Sequence, residues 1–334
     1  IPTNSSTFLI SVSHLSSQNK MESQMVSRMR RMESKESMST SFSEECASAV
    51  DRHLLTQSNN FLCCVDGSAH GDYALQTAFS LRKKRDHVTV FHAFKEYDDE
   101  SKIFPVEYRP KEMKLKYECE LIGHLPSSRY SIWWTSRDRE GKRKAIEELQ
   151  HEMRHRRHDE DYPDFILMGH VGRKGKKDTQ TTLGSNSDVS LRTMHLPIII
   201  VKSPCPAQNR KFLLAVNSSI HSERGLDVLL NLISPKDSLT LFHFYSPDSE
   251  TDVKNAKLLK TKFEDELDMY GPVDSSFQLV EKDQGKAMTH CIADYVNEVN
   301  PTFLGICPRG KAAISSVSEY VVNNVYCSVV FCKS

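Results

Sequence analysis

Short apolar runs separated by stretches of helical period dominate the chain from Phe61 onward. Phe61–Val65, His87–Phe94, Tyr130–Thr135, Phe165–Met168 and Pro197–Val201 have the length and content of strands. Between them Tyr73, Leu75, Ala78, Phe79 and Leu81 fall at helical spacing, and residues 142–156 and 186–195 carry two further helical patterns. The charged stretch 95–125 reads as a loop plus one helix around Lys111–Leu121. Strands alternating with helices predict a parallel sheet covered by helices on both faces.

The pattern then recurs. Phe61–Ser68 (FLCCVDGS) corresponds to Phe212–Ser219 (FLLAVNSS), and Val88–His92 (VTVFH) to Leu239–His243 (LTLFH); 212 − 61 and 239 − 88 both give 151. Two ungapped matches at one shift indicate an internal repeat. Pro163-Asp-Phe165 corresponds to Pro301-Thr-Phe303, and Leu183–Ser187 to Ile314–Ser318, after deletions in the second copy. Ser203–Arg210, with Pro204 and Pro206, is the natural junction. The expected organisation is a tail over residues 1–58, a first domain over 59–203, a linker over 204–210 and a second domain over 211–334.

The segment preceding Phe61 lacks a sustained apolar pattern. Met21, Met25, Met29 and Met32 fall at helical spacing, but Ser, Gln and Glu dilute that face. A disordered tail is expected there, with a docking or targeting helix as the functional alternative. A short amphipathic helix is expected from Ser43 through Leu54.

Charge and cysteine content narrow the function. Lys+Arg and Asp+Glu both number 44, so the net charge is zero, which argues against a general nucleic-acid or membrane-surface binder. The local basic clusters Lys83–Arg85, Arg154–Arg157 and Arg173–Lys177 read as solvated faces. Nine scattered cysteines, several inside apolar strands, read as buried hydrophobes in a reducing compartment. No apolar run approaches the roughly 20 residues of a membrane span, and a cytoplasmic protein is expected.

Candidate chemistry concentrates between Asp164 and Lys202. Gly169 and Gly172 follow a strand, Gly184-Ser185 stands where a helix begins, and a basic loop joins them. Glycines admit close approach of an anion, and a helix N-terminus offers free N–H groups and a positive dipole end. Asp66 ends the first strand, Ala93 lies near the end of the second, and Met168-Gly169 ends the fourth; these ends converge on one crevice in a parallel sheet. Asp66 also reads as an ordinary Asp-Gly-Ser turn residue.

The pattern Gly169-x2-Gly172, a loop, then Gly184-Ser185 before a helix and a last strand resembles the nucleotide loop of the universal stress protein family. The resemblance extends over Phe61–Ser203 and Phe212–Lys333, with the loop 173–183 longer than the usual family spacing. It implies two doubly wound, parallel five-stranded α/β sheets in tandem, of the adenine nucleotide alpha-hydrolase-like kind. It further implies an internal pseudo-dimer in which Pro197–Lys202 lies beside Ser328–Lys333. By the same resemblance ATP with magnesium binds the first domain alone. Asp66 and Ala93 would meet the nucleoside, and Gly169, Gly172, Gly184 and Ser185 would hold the phosphates, with Met168 and Asn186 also in the binding site and Lys174, Lys176 and Lys177 as optional charge.

In the second copy Asn217 replaces Asp66, Cys307 replaces Gly169 and Ser315 replaces Gly184, and only Gly172 persists, as Gly310. That copy reads as a scaffold without a nucleotide. His151-Glu152-Met153-Arg154-His155 fits a zinc-protease motif, but on the charged end of a helix rather than in a shaped pocket. Walker A and kinase motifs are absent. Cys119 and Cys205 are candidates for oxidation without neighbours that mark either as activated. The expected function is an ATP-binding regulatory, stress-response module acting through protein interaction, with slow ATP hydrolysis at most. The alternative is a structural or assembly subunit with both sites inactive, its tail docked on a larger complex.

Overall fold

The structure, a computed structural model, describes residues 58–95, 105–136, 144–173, 183–270, 274–308 and 314–333. The expectations for residues 1–57, for Lys174, Lys176 and Lys177 and for Gly310 lie outside the described residues.

The first five strands are β1 (Asn60–Cys64), β2 (His87–Phe94), β3 (Tyr130–Ser136), β4 (Phe165–Gly169) and β5 (Ile198–Val201). Helices α1 (Ala69–Leu81), α2 (Pro110–His124), α3 (Ala145–His155) and α4 (Ser185–Thr193) connect them. The next five strands are β6 (Lys211–Ala215), β7 (Ser238–Tyr245), β8 (Asp274–Glu281), β9 (Phe303–Ile306) and β10 (Ser328–Phe331). Their connecting helices are α5 (Ile220–Leu230), α6 (Glu250–Met269), α7 (Met288–Val299) and α8 (Ser316–Asn324).

Among the described residues ten strands form one sheet in the order β3-β2-β1-β4-β5-β10-β9-β6-β7-β8. Every pairing is parallel except β5 with β10, which run antiparallel with Val329 opposite Ile200 and Phe331 opposite Ile198. The two parallel five-stranded sets therefore join edge to edge, and the strand that would have been an open edge in each is covered by the other.

Side chains alternate along the buried strands, as a pleated sheet requires. Phe61, Cys63, Phe165, Leu167, Ile199 and Val201 face one helical layer with Leu75, Ala78, Tyr117, Leu226, Leu229 and Phe263. Leu62, Ile166, Met168, Ile198 and Ile200 face the other, with Leu149, Leu191, Val296 and Val321. The apolar runs of the sequence are thus buried on both faces, which explains why they lack polar alternation.

Polar contacts repeat with the 212 − 61 = 151 shift of the sequence. Asp86 accepts from the N–H groups of Asn59 and Lys83, and Asp237 from those of Arg210 and Ser234. The side chain of Asn59 donates to the carbonyl of Asn231 at 3.0 Å, and that of Arg210 to the carbonyl of Ser80 at 2.5 Å. Each half thereby reaches into the other. Near the seam, Lys202 donates to the carbonyls of Val322 and Val325 at the end of α8, while Lys333 donates to those of Leu191 and Met194 at the end of α4. Each lysine neutralises a helix C-terminus with orphaned carbonyls. Burial pulls both amines down to about 8.

Candidate functional site

The crevice lies outside the C-terminal ends of β1, β2 and β4, closed by the starts of α1 and α4 and by α3. Its volume is about 750 Å³, inside the range of sites for small-molecule ligands. Asp66, Ala93, Met168, Gly169, Gly172, Gly184, Ser185 and Asn186 all line it. The eight residues picked from the sequence come from three strand ends and one helix start, and the fold brings them to one place.

Asp66 organises the polar end. Its Oδ1 accepts from the backbone N–H of Ser68 at 3.0 Å and from the Ser68 hydroxyl at 2.5 Å, while Ser68 Oγ accepts from Gly71 N–H and caps α1. Its Oδ2 accepts from the backbone N–H of Arg173 at 2.7 Å. Asp66 is therefore a turn residue and also the anchor of the loop after β4. A Cβ on Gly172 would stand 2.8 Å from Asp66 Oδ2, so glycine is what permits this anchoring.

Gly169 has a different reason to be glycine. A Cβ there would approach the backbone carbonyl carbon and Cβ of His70 to 2.7 Å, so the missing side chain lets α1 lie against the end of β4. The Ser187 hydroxyl donates to the Gly169 carbonyl at 2.8 Å and fixes α4 to the same strand. Burial holds the His70 imidazole below its ordinary value, against the pull of Asp66.

Gly184 is the N-cap of α4, in extended backbone (φ −62°, ψ 146°), and no side chain caps the helix. Gly184 N–H donates to the His170 carbonyl at 2.8 Å, which brings the helix start beside Gly172. The uncapped turn Ser185–Ser187 borders the crevice, with Arg173 across from it, its guanidinium over the Tyr108 ring at 5.2 Å. A helix N-terminus without a side-chain cap, next to glycines and a cation, is suited to an anion.

The other end of the crevice is apolar. Phe91, Ala93, Ile146 and Leu149 line it, and His92 Nδ1 bonds the Val65 carbonyl at 2.7 Å while its ring packs on Trp134 at 4.6 Å. Tyr108, Lys144, Ser187 and this α3 wall were not picked out from the sequence, because nothing in their local pattern marks them as facing a crevice.

The second half presents the same strand ends with different side chains. Registers Cys64–Phe91 and Ala215–Phe242 match, which places Phe244 where the first half has Ala93. The Phe244 ring packs against Phe242 at 5.8 Å and Tyr295 at 5.9 Å. Asn217 Oδ1 accepts from Ser219 N–H and the Ser222 hydroxyl, and Ser222 stands where the first half has Gly71. Ser315 caps α8 with its own side chain, accepting from Ser318 N–H at 3.1 Å.

Two residues of the zinc-protease motif, Glu152 and His155, have other partners. Glu152 pairs with Arg156 at 3.2 Å and accepts from the Thr135 hydroxyl, and His155 Nδ1 bonds the carbonyl of His151. Among the described residues no group of three or more His, Cys, Asp and Glu is placed to hold a metal ion. Burial pushes the Cys205 thiol up to about 11.

A crevice at the strand ends of a doubly wound half-sheet, polar at a helix start and apolar at the far end, is the place where open α/β sheets take their ligands. Residues 58–202 match the family model of the Universal stress protein family. No curated protein matches the chain. Among solved structures, a universal stress protein from Archaeoglobus fulgidus DSM 4304 is similar with 18% identity and a TM-score of 0.57, covering 83% of this chain and 99% of that one. A functionally unknown protein from Pseudomonas aeruginosa PAO1 is similar with 13% identity and a TM-score of 0.54, covering 84% of this chain and 94% of its own. A universal stress protein family protein from Arabidopsis thaliana, solved with AMP bound, has 23% identity and a TM-score of 0.28, covering 36% of this chain and 88% of its own. No helix among the described residues is long and apolar enough to cross a membrane.

Proposed function

We propose that the β1–β5 half binds an adenine nucleotide, ATP with magnesium, and that occupancy regulates a contact with a partner protein. The observation that carries this reading is the uncapped start of α4 set beside Gly172 and Arg173, at one end of a 750 Å³ crevice whose other end is apolar. Phosphates would meet the N–H groups of Ser185–Ser187, and a base would lie along Ala93, Ile146 and Leu149. Magnesium would arrive on the nucleotide's own phosphates. Bound nucleotide would change the surface offered to a partner, with the N-terminal tail as a second docking element. Hydrolysis is not part of this reading, since Asp66 already accepts from three donors.

The β6–β10 half is read as a second universal stress protein-like domain whose site is filled. Phe244, Ser222 and Ser315 occupy or satisfy what Ala93, Gly71 and Gly184 leave open. Its role is to pair with the first half as in a dimer.

The test is a thermal-shift titration of the full chain with ATP and magnesium, alongside Ala93→Phe. The second half shows that phenylalanine is compatible with this position of the fold. Wild type is expected to gain about 2.7 kcal/mol at a free ligand level near 100 times Kd, read as a rise of several degrees in Tm. Ala93→Phe should melt within a few degrees of wild type and lose the rise. No rise in nucleotide-free wild type at millimolar ATP would overturn the reading in favour of a structural or assembly subunit.

A further inference from the structure

The second half holds a feature without counterpart in the first. In β9 and β10, Ile306 stands opposite Phe331, so the next residues, Cys307 and Cys332, face each other just beyond the strand ends. The ladder continues there, because Cys332 N–H donates to the Ile306 carbonyl at 2.9 Å. Neighbouring strands are about 4.8 Å apart, inside the Cα separation of about 4.4–6.8 Å that a disulfide spans. In the first half the same register pairs Gly169 with Val201.

Both cysteines project toward α5 at one spot. A Cβ added to Gly225 would fall 2.1 Å from Cys307 Sγ and 3.5 Å from Cys332 Cβ, so the helix has a gap where the two thiols sit. The Cys332 thiol donates to the Val330 carbonyl at 3.7 Å, and the neighbouring Cys307 together with burial pushes it well above its ordinary value. Cys332 is 2% exposed, and Cys307 is half-buried. The two sulfurs thus differ in access. Cys307 is the residue nearer solvent, and Cys332 is the more deeply buried of the two.

We propose that Cys307 and Cys332 form a redox-active dithiol, which hydrogen peroxide converts reversibly into an intramolecular disulfide across β9 and β10. Cys307 attacks peroxide as the thiolate; the O–O bond breaks, Cys307 becomes a sulfenic acid, and the released hydroxide takes a proton to become water. Cys332 sulfur then attacks Cys307 sulfur, the S–S bond forms, the S–O bond breaks, and hydroxide leaves with the Cys332 proton as a second water. Two thiols and one peroxide give one disulfide and two waters. The strand register and the shared spot beside Gly225 place the two side chains next to each other before the first step, so the resolving step needs little motion. The bond would tie the ends of β9 and β10 on the strand that pairs with β5.

The experiment treats the reduced full chain with hydrogen peroxide, raised until exposed Cys119 reacts. Remaining thiols are then alkylated, and the chain is mapped by mass spectrometry without reduction. A peptide pair joined through Cys307 and Cys332, released by dithiothreitol and missing in Cys307→Ser, is the expected result. Free or singly oxidised thiols at both positions while Cys119 has reacted would overturn the proposal, as would Cys307 joined to any other cysteine. The wild-type map decides by itself if Cys307→Ser fails to fold.

Discussion

The two halves of the sheet keep the same strand order and matching registers but fill the C-terminal ends of their strands in opposite ways. Ala93 leaves space and Phe244 fills it; Gly184 leaves a helix start open and Ser315 caps it; Gly71 yields to Ser222 beside Asn217. The glycine-to-serine exchanges lie outside the alternating strand interiors, and the exchange of Ala93 for Phe244 sits at the edge of one core layer. The difference teaches that a site of this kind is an omission. It is a set of small residues held open by a scaffold that is stable without them, and a few side chains are enough to close it.

The halves also differ in how they grip one another, and here the largest effect is expected. Asn59 and Arg210 occupy equivalent positions and each reaches a carbonyl of the opposite half. Arg210 is 1% exposed and pairs bidentately with buried Asp237, while Asn59 contributes one side-chain bond. Arg210→Ala leaves Asp237 charged and buried, and should cost about 3–5 kcal/mol in urea unfolding. Asn59→Ala should cost only about 1 kcal/mol. Equal costs would show that the buried charge pair adds nothing to the shared backbone contact.

A smaller effect is expected where helix and strand end exchange volume. In the first half Gly169 on β4 makes room for α1; in the second, Gly225 on α5 makes room for Cys307. Gly225→Ala should therefore destabilise by about 1–3 kcal/mol through overpacking, despite the better helix propensity of alanine. Adding Cys307→Gly restores the arrangement of the first half, which has Ala74 on the helix and Gly169 on the strand. The double variant should recover most of the loss by chemical denaturation. Additive losses would mean that the 2.1 Å approach at Gly225 is not the coupling between the two positions.

Much of this was legible in the sequence, for identifiable reasons. The strands stand where the apolar runs do, since a parallel sheet buried on both faces writes itself as uninterrupted Phe, Leu, Ile and Val. The shift of 212 − 61 = 151 recurs in the Asp86 and Asp237 networks, which are short-range and so keep their spacing. The eight crevice residues were found because strand ends and glycine pairs have local signatures. The α3 wall and Tyr108 have none, because they are ordinary amphipathic or turn residues until the chain folds back. Gly169 was readable as glycine but not as the seat of His70, and Phe244 was not readable as a plug, since a phenylalanine in a strand looks like core. The cross-strand facing of Cys307 and Cys332 depends on the register of β9 with β10, which sequence spacing does not encode.

The smallest change in stability, and the sharpest contrast between the halves, is expected from Gly184→Ser. Backbone angles at Gly184 (φ −62°, ψ 146°) and Ser315 (φ −67°, ψ 155°) nearly coincide, so serine fits the first half without backbone strain. Its hydroxyl would accept from the start of α4 as Ser315 does from Ser318 N–H, which is worth only a few tenths of a kcal/mol relative to glycine. Its Cβ would lie 3.2 Å from the His170 carbonyl oxygen, a tight contact that offsets part of that gain. The unliganded protein should therefore melt close to wild type. Nucleotide must then compete with an internal cap for the same N–H groups, so the ATP-induced rise in Tm should shrink while the apolar end of the crevice is unchanged. An undiminished rise would place the phosphates away from the start of α4, and would separate the anion contact from the Ala93 pocket that the base is proposed to use.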